Sequence, residues 1–213
     1  MRKYDQIAGL NSQRIEAISD GVFAIALTLL ILDIKIPISV AIKSEKELLS
    51  AFINLTPRLI SYFLSFMTLG IYWSAHSSQF HYITKSDRHL NWINLFFLLF
   101  VSIIPFTTAF LSEFITFKFA IVIYWLNLFL LGIMLALNWR YAKRNQFLSL
   151  SGSELKSVST AIKRRIIEAQ TLYTIGAAIC LLNTYLSIGV LIVIQLHYAL
   201  ALSFRRNKKN ASE

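Results

Sequence analysis

Charge is scarce in this chain, and so are the residues that punctuate loops. Of 213 residues only 15% are charged, while Gly and Pro number seven and three. A soluble domain carries about 25% charged residues. So apolar a chain is not disordered, and so little Gly and Pro excludes a collagen-like chain. The one cysteine, Cys180, lies in an apolar stretch, so no intrachain disulfide and no cysteine metal cluster can form. Enzyme signatures are missing too, with no Gly-rich phosphate loop, no GxSxG and no HExxH. His76 and His81 stand five apart, off the spacing that puts two ligands on one helix face. No enzyme activity, no cofactor and no resident metal is expected.

What the chain has is apolar surface. Hydrophobic residues make up 56%, with Phe alone occurring 16 times, and the mean hydropathy is +0.58. Leu59 to Thr84, Leu90 to Ser112, Phe119 to Trp139 and Ala169 to Phe204 contain no Lys, Arg, Asp or Glu. A membrane-crossing helix needs about 20 apolar residues. The first three runs suit one span each. The fourth holds two if the chain turns between Asn183 and Gly189. A fifth apolar run, Gly21 to Leu32, is short but crosses if extended from Arg14 to Lys35. Six helices are expected, over 13–35, 47–75, 89–112, 117–142, 162–183 and 186–205. The first is not a signal peptide, because Arg14, Glu16 and Asp20 interrupt the stretch where its apolar core would lie. The expected organisation is an all-α membrane protein: a tail over 1–12, one six-helix transmembrane unit over 13–205 and a basic tail over 206–213.

The net charge of +10 is unevenly spread. With the N-terminus inside, the inner segments hold sixteen Lys and Arg and the outer loops four, with Arg58 inside the second helix. Such a bias places both termini in the cytoplasm. The basic surplus then reports topology and contact with anionic lipid, and no nucleic-acid partner is expected. The setting is a cell membrane crossed several times, the inner membrane if the source is bacterial.

Ionisable groups inside spans are costly and become functional hypotheses. The inner end of the first helix carries Arg14, Ser19 and Asp20. The second helix approaches the same leaflet with Trp73 and His76, and the third leaves it with Asn94. Arg14, Asp20, His76 and Asn94 are expected to satisfy one another in a connected network. Asn127 and Gln195 are expected to hydrogen-bond between helices. On a wheel at about 100° per residue, Ile18, Val22, Ile25, Leu29 and Leu32 form one stripe of the first helix. Asp20, Phe23, Leu27 and Ile31 lie on the other side, Thr28 borders the stripe and Asp33 sits near its outer end. Both faces are apolar, so periodicity leaves open which face packs and which lines anything.

The segment Arg14-Ile-Glu-Ala-Ile-Ser-Asp20, running into Gly-Val-Phe-Ala-Ile-Ala-Leu-Thr-Leu-Leu, resembles the first helix of the transmembrane protein 175 family. That family comprises lysosomal and prokaryotic potassium channels. Its hallmark is Arg, three residues, then Phe-Ser-Asp, and this chain has Ile18 in place of the Phe. Trp73 and His76, then Asp87, Leu90, Asn94 and Leu95, and Pro105-Phe106 with Thr108 match further along. The likeness runs from about residue 12 to 205.

The resemblance implies a homotetramer in which four copies of the first helix line a central pore. It implies a potassium-permeable channel, selective for K⁺ over Na⁺, constricted by rings of branched apolar side chains. Ile25, Leu29 and Leu32 match the family's gate positions, with Thr28 beside them. No TVGYG-like filter segment is present. A ring of Asp33 is expected at the outer mouth, where it would concentrate cations. Permeating K⁺ is the only metal implied. A proton-coupled or secondary transporter using Asp20 and His76 is the alternative, although such carriers show internal repeats and broken helices.

Overall fold

The computed structural model describes residues 12–35 and 42–210, with side chains through residue 198. The expected tails, 1–12 and 206–213, fall outside these residues except for Ser12 and the backbone of 206–210. Seven α-helices and no β-strand occur among the described residues. They are α1 (Ser12–Leu29), α2 (Glu45–Asn54), α3 (Thr56–Phe80), α4 (Arg88–Glu113), α5 (Lys118–Arg144), α6 (Gly152–Ala178) and α7 (Thr184–Asn210). A 3₁₀ turn, Leu30–Asp33, extends α1, and another, Ile179–Leu181, follows α6.

The count departs from the expected six because the second helix is broken. Pro57 has no N–H to donate to the carbonyl of Ile53, and its ring crowds that carbonyl. The Thr56 hydroxyl donates to Ile53 O instead, and α3 starts afresh with Pro57 in its first turn. Ser44 caps α2 by accepting from the Glu47 N–H, and the Glu47 carboxylate reaches back to the Lys43 N–H. The fifth expected helix, over 162–183, begins ten residues earlier, at Gly152, directly after Ser151 in extended backbone.

Among the described residues three helices are long and apolar enough to cross a membrane: Ser12–Asp33, Arg88–Glu113 and Lys118–Arg144. By this measure the expected six spans are not all reached. α3 carries Ser61, Ser65, Thr68, His76 and Gln79 on its buried face, which lowers its hydropathy. The first half of α6 carries Glu154, Lys156, Lys163, Arg164 and Arg165. Thr184–Tyr198 of α7 is apolar but shorter.

α4 is the central helix and packs against α1, α3 and α5, while α6 and α7 pack on each other and on α5 and α3 respectively. Phe23, Leu64, Leu69, Phe97, Val101, Ile104, Ile121 and Leu128 form the buried centre. One end of the bundle is closed by Asp87. One carboxylate oxygen accepts the Leu90 N–H at 2.8 Å and caps α4, while the other accepts the Tyr141 hydroxyl of α5 at 2.6 Å. At the same end Thr84 and Ser149 join the α3–α4 and α5–α6 connections through Phe147 O and Tyr82 O. At the opposite end Arg58 of α3 and Glu113 of α4 form an ion pair of 2.9 Å.

Candidate pore lining and inner polar network

α1 presents two different surfaces. Ile15, Ser19, Phe23, Ala26 and Leu30 are buried, at the three- and four-residue spacing of one helix face. Phe23 is 1% exposed. Ile25 is 60% exposed, Leu29 43% and Leu32 68%, and Ile18 and Thr28 are exposed with them. The Thr28 hydroxyl turns back to Ile25 O at 2.9 Å. The wheel's two-sided division is therefore refined. Phe23 centres the packed face, the Ile25 stripe flanks it on one side, and Asp20 and Ile31 flank it exposed on the other.

Asp33, expected at the outer mouth, is held against α4 of its own subunit. The switch to 3₁₀ winding at Leu30 advances each residue by about 120° instead of 100°. Leu32 stays with the Ile25 stripe, and Asp33 lies on the side of buried Ala26. Its carboxylate accepts the Ser112 hydroxyl of α4 at 2.9 Å. Tied sideways within its own subunit, it does not share the face of Ile25, Leu29 and Leu32.

The inner polar residues divide into two groups and do not form the single network expected. In the first, His76 Nε2 meets Asn94 Oδ1 at 2.8 Å, and the Asn94 amide donates to Ser19 Oγ at 3.1 Å. Ser19 in turn donates to Ile15 O at 2.7 Å. Asn94 thus uses its Nδ2 on Ser19 and its carbonyl on His76, which makes Nε2 the imidazole donor. All three side chains are buried, and the imidazole lies between the rings of Phe80 and Phe97 at centroid distances of 4.3 and 5.0 Å. The second group is Asp20 and Trp73, joined at 2.8 Å on the exposed flank. Arg14 is exposed and has no hydrogen bond or ion pair to the described residues, because its position on α1 faces away from α3 and α4.

A further buried network bears out the interhelical bonds expected of Gln195 and Asn127 and adds hydroxyl partners that were not expected. Thr108 of α4 donates to Ser65 of α3 at 2.6 Å, and Ser65 donates to the Tyr124 hydroxyl of α5 at 3.2 Å. Tyr124 also meets Thr68 at 3.1 Å, and Gln195 of α7 donates to Thr68. Asn127 reaches Thr107 at 3.5 Å. Four helices are cross-linked in this way inside the apolar bundle. The signal was present in the sequence: Ser61, Ser65, Thr68, Tyr72, His76 and Gln79 recur at three- and four-residue steps. In an aqueous protein that period marks the wet face, whereas here all six are buried.

Known proteins with the same features are ion channels. Residues 14–105 match the family described as "Endosomal/lysosomal potassium channel TMEM175". A potassium channel of Chamaesiphon minutus is 31% identical over 190 residues, covering 88% of this chain and 93% of that one. A crystal structure of a lysosomal potassium-selective channel TMEM175 homologue from the same organism superposes with a TM-score of 0.73 at 28% identity. It covers 89% of this chain and 97% of that chain. The endosomal/lysosomal proton channel TMEM175 of Gallus gallus is 41% identical over 110 residues, which are 49% of this chain and 22% of the longer protein.

Proposed function

The chain belongs to the TMEM175 family of ion channels, and on that premise we propose that it is a potassium-permeable cation channel, selective for K⁺ over Na⁺. One observation carries the reading: Ile25, Leu29 and Leu32 form an apolar stripe on α1 that the described residues leave largely exposed, although another face of the same helix is packed. Four subunits around an axis would bring the stripes together as stacked rings and leave a bore between them. Thr28 would border the bore with its hydroxyl satisfied by Ile25 O.

A ring of apolar side chains gates by dewetting, and an ion must shed water to pass it. K⁺ gives up its hydration shell more readily than Na⁺, so a narrow apolar ring favours K⁺. No cage of carbonyls replaces the lost water, so the selectivity is modest. In this reading the Ser19–Asn94–His76 group fixes how α1 sits on α3 and α4, and the Asp20–Trp73 pair holds the exposed flank near the subunit boundary. The channel unit spans residues 13–205 in a cell membrane with both termini cytoplasmic, as supported by the distribution of Lys and Arg.

Purified protein reconstituted in a planar bilayer tests the proposal. Step-like currents that reverse towards the K⁺ equilibrium potential in opposed K⁺ and Na⁺ solutions are expected. Concentration-dependent flux without resolvable current steps would point to the carrier built on Asp20 and His76.

A further inference from the structure

An open cavity of about 1500 Å³ lies on the far side of α3 from the α1 stripe, between α3, α5, α6 and α7. It occupies the end of the bundle where the α3–α4 and α5–α6 connections meet. Its walls include Ile71, Leu135 and Ile166, and its rim carries Lys156 and Arg165 of α6. Arg164 stands there too but is paired with Glu168 at 2.5 Å, which leaves Lys156 and Arg165 as the rim cations without an ion pair to the described residues.

Two buried polar groups that line the cavity lack a partner among the described residues. Tyr173 is 1% exposed and its hydroxyl has no partner, and Gln79 is 2% exposed with Oε1 unpartnered. Buried polar atoms are usually bonded, and these two face a cavity from which a ligand could reach them. Nearby Gln170 donates to the Tyr72 hydroxyl at 3.0 Å but leaves its own Oε1 without a donor. The unmet groups are therefore one hydroxyl able to donate and two amide oxygens able only to accept.

We propose that this cavity binds an anionic glycerophospholipid from the adjoining leaflet. The acyl chain lies on the apolar walls, the phosphate lies between Lys156 and Arg165, and the ester carbonyls and headgroup hydroxyls meet Tyr173 and the glutamines. The commitment to a lipid follows from the combination on one site. A free phosphate has no use for walls of Ile71, Leu135 and Ile166, and a zwitterionic lipid brings a second cation to a rim already positive. Basic pockets between membrane helices suit anionic headgroups for the same reasons. The inference goes beyond the channel reading, since it involves neither α1 nor the conduction path.

The test uses the purified full chain in detergent. Thermal unfolding is followed while dioctanoyl phosphatidylglycerol, dioctanoyl phosphatidylcholine or inorganic phosphate is added. Phosphatidylglycerol is expected to raise the melting temperature with increasing concentration, and the other two are expected to leave it unchanged. Lys156→Gln and Arg165→Gln should each weaken the apparent affinity about fivefold, and Leu135→Trp should abolish the response by filling the cavity. Lys85→Gln, a cation at the same end but outside the cavity, should change nothing. An equal response to phosphatidylcholine or phosphate overturns the proposal, as does an unaltered response in all three cavity variants. Should those variants fail to fold, a photoactivatable phosphatidylglycerol on the wild-type protein decides. Crosslinks on α6 between Ser153 and Tyr173 support the site, and crosslinks confined elsewhere overturn it.

Discussion

The indole Nε1 of Trp73 donates to the Asp20 carboxylate at 2.8 Å, joining α3 to α1 on a flank where both side chains remain exposed. The Asp20 carboxylate, away from the Ile25 stripe, is thus held by a neighbouring helix. Trp73→Phe keeps the ring and removes the donor. A hydrogen bond to a charged group contributes about 1.5–3 kcal/mol when shielded and less when wet. The variant should therefore melt a few degrees lower in detergent and give less of the proposed tetramer on native gels, with unchanged selectivity. Normal stability combined with altered K⁺ affinity would place Asp20 in the ion path instead.

Ile25 and Leu27 are two residues apart on α1 and face different surroundings. Ile25→Asn should wet the proposed constriction and supply oxygen ligands, so conductance rises and discrimination against Na⁺ falls. Leu27→Asn, on the partly buried flank, should reduce assembly and leave the permeability ratio intact. Reversal potentials under bi-ionic K⁺/Na⁺ conditions read both effects. A shift at Leu27 with none at Ile25 would exchange the two faces.

The buried pair of His76 and Asn94 predicts an asymmetry. Asn94→Leu strands the His76 N–H in an apolar stack and should cost about 1–3 kcal/mol. His76→Phe together with Asn94→Leu removes donor and acceptor at once, and Ser19 still has Ile15 O. The double variant should recover most of the lost melting temperature. If it melts no higher than the single variant, packing and not the stranded N–H is responsible.

Gly132 leaves room for Gln170. A Cβ at Gly132 would collide with the Gln170 amide, which would have to abandon the Tyr72 hydroxyl. Gly132→Ala should destabilise by about 1–3 kcal/mol, as overpacking does. Adding Gln170→Ala should relieve most of that loss, and a double-mutant cycle on melting temperatures gives the coupling.

Orientation is open to chemical labelling in a background lacking Cys180. Lys143→Cys, at the basic end of α5, should react with an impermeant maleimide only after cells are opened. Lys43→Cys, before α2, should react in intact cells. The reverse pattern would invert the proposed topology.

Long apolar runs made the helices of this protein legible, because a lipid-facing helix cannot afford charge. The breaks were harder to foresee. Pro57 was visible, but a proline inside an apolar run is compatible with either a kinked span or a fresh start, and only the fold, with Leu55 standing between α2 and α3, distinguishes them. The polar residues at the inner end of α1 stood out one by one. Their partners did not, since Ser19 and Asp20 are adjacent yet point to different neighbours, a difference of about 100° that decides which is buried. The partner of Asp33 was equally hidden, because nothing in Leu-Ile-Leu-Asp announces a bond to Ser112 of α4. The buried stripe along α3 was hidden by a habit from soluble proteins, in which periodic Ser and Thr mean water.

The break at Pro57 also sets how the molecule comes apart. α2 has no buried residue, and its hydrogen-bond ladder ends before α3 begins. Its backbone amides should therefore open and exchange with solvent deuterium independently of the bundle, far faster than those of α3. A strain applied at Ser44 would unwind α2 and dissipate there, leaving the register between Trp73 and Asp20 undisturbed.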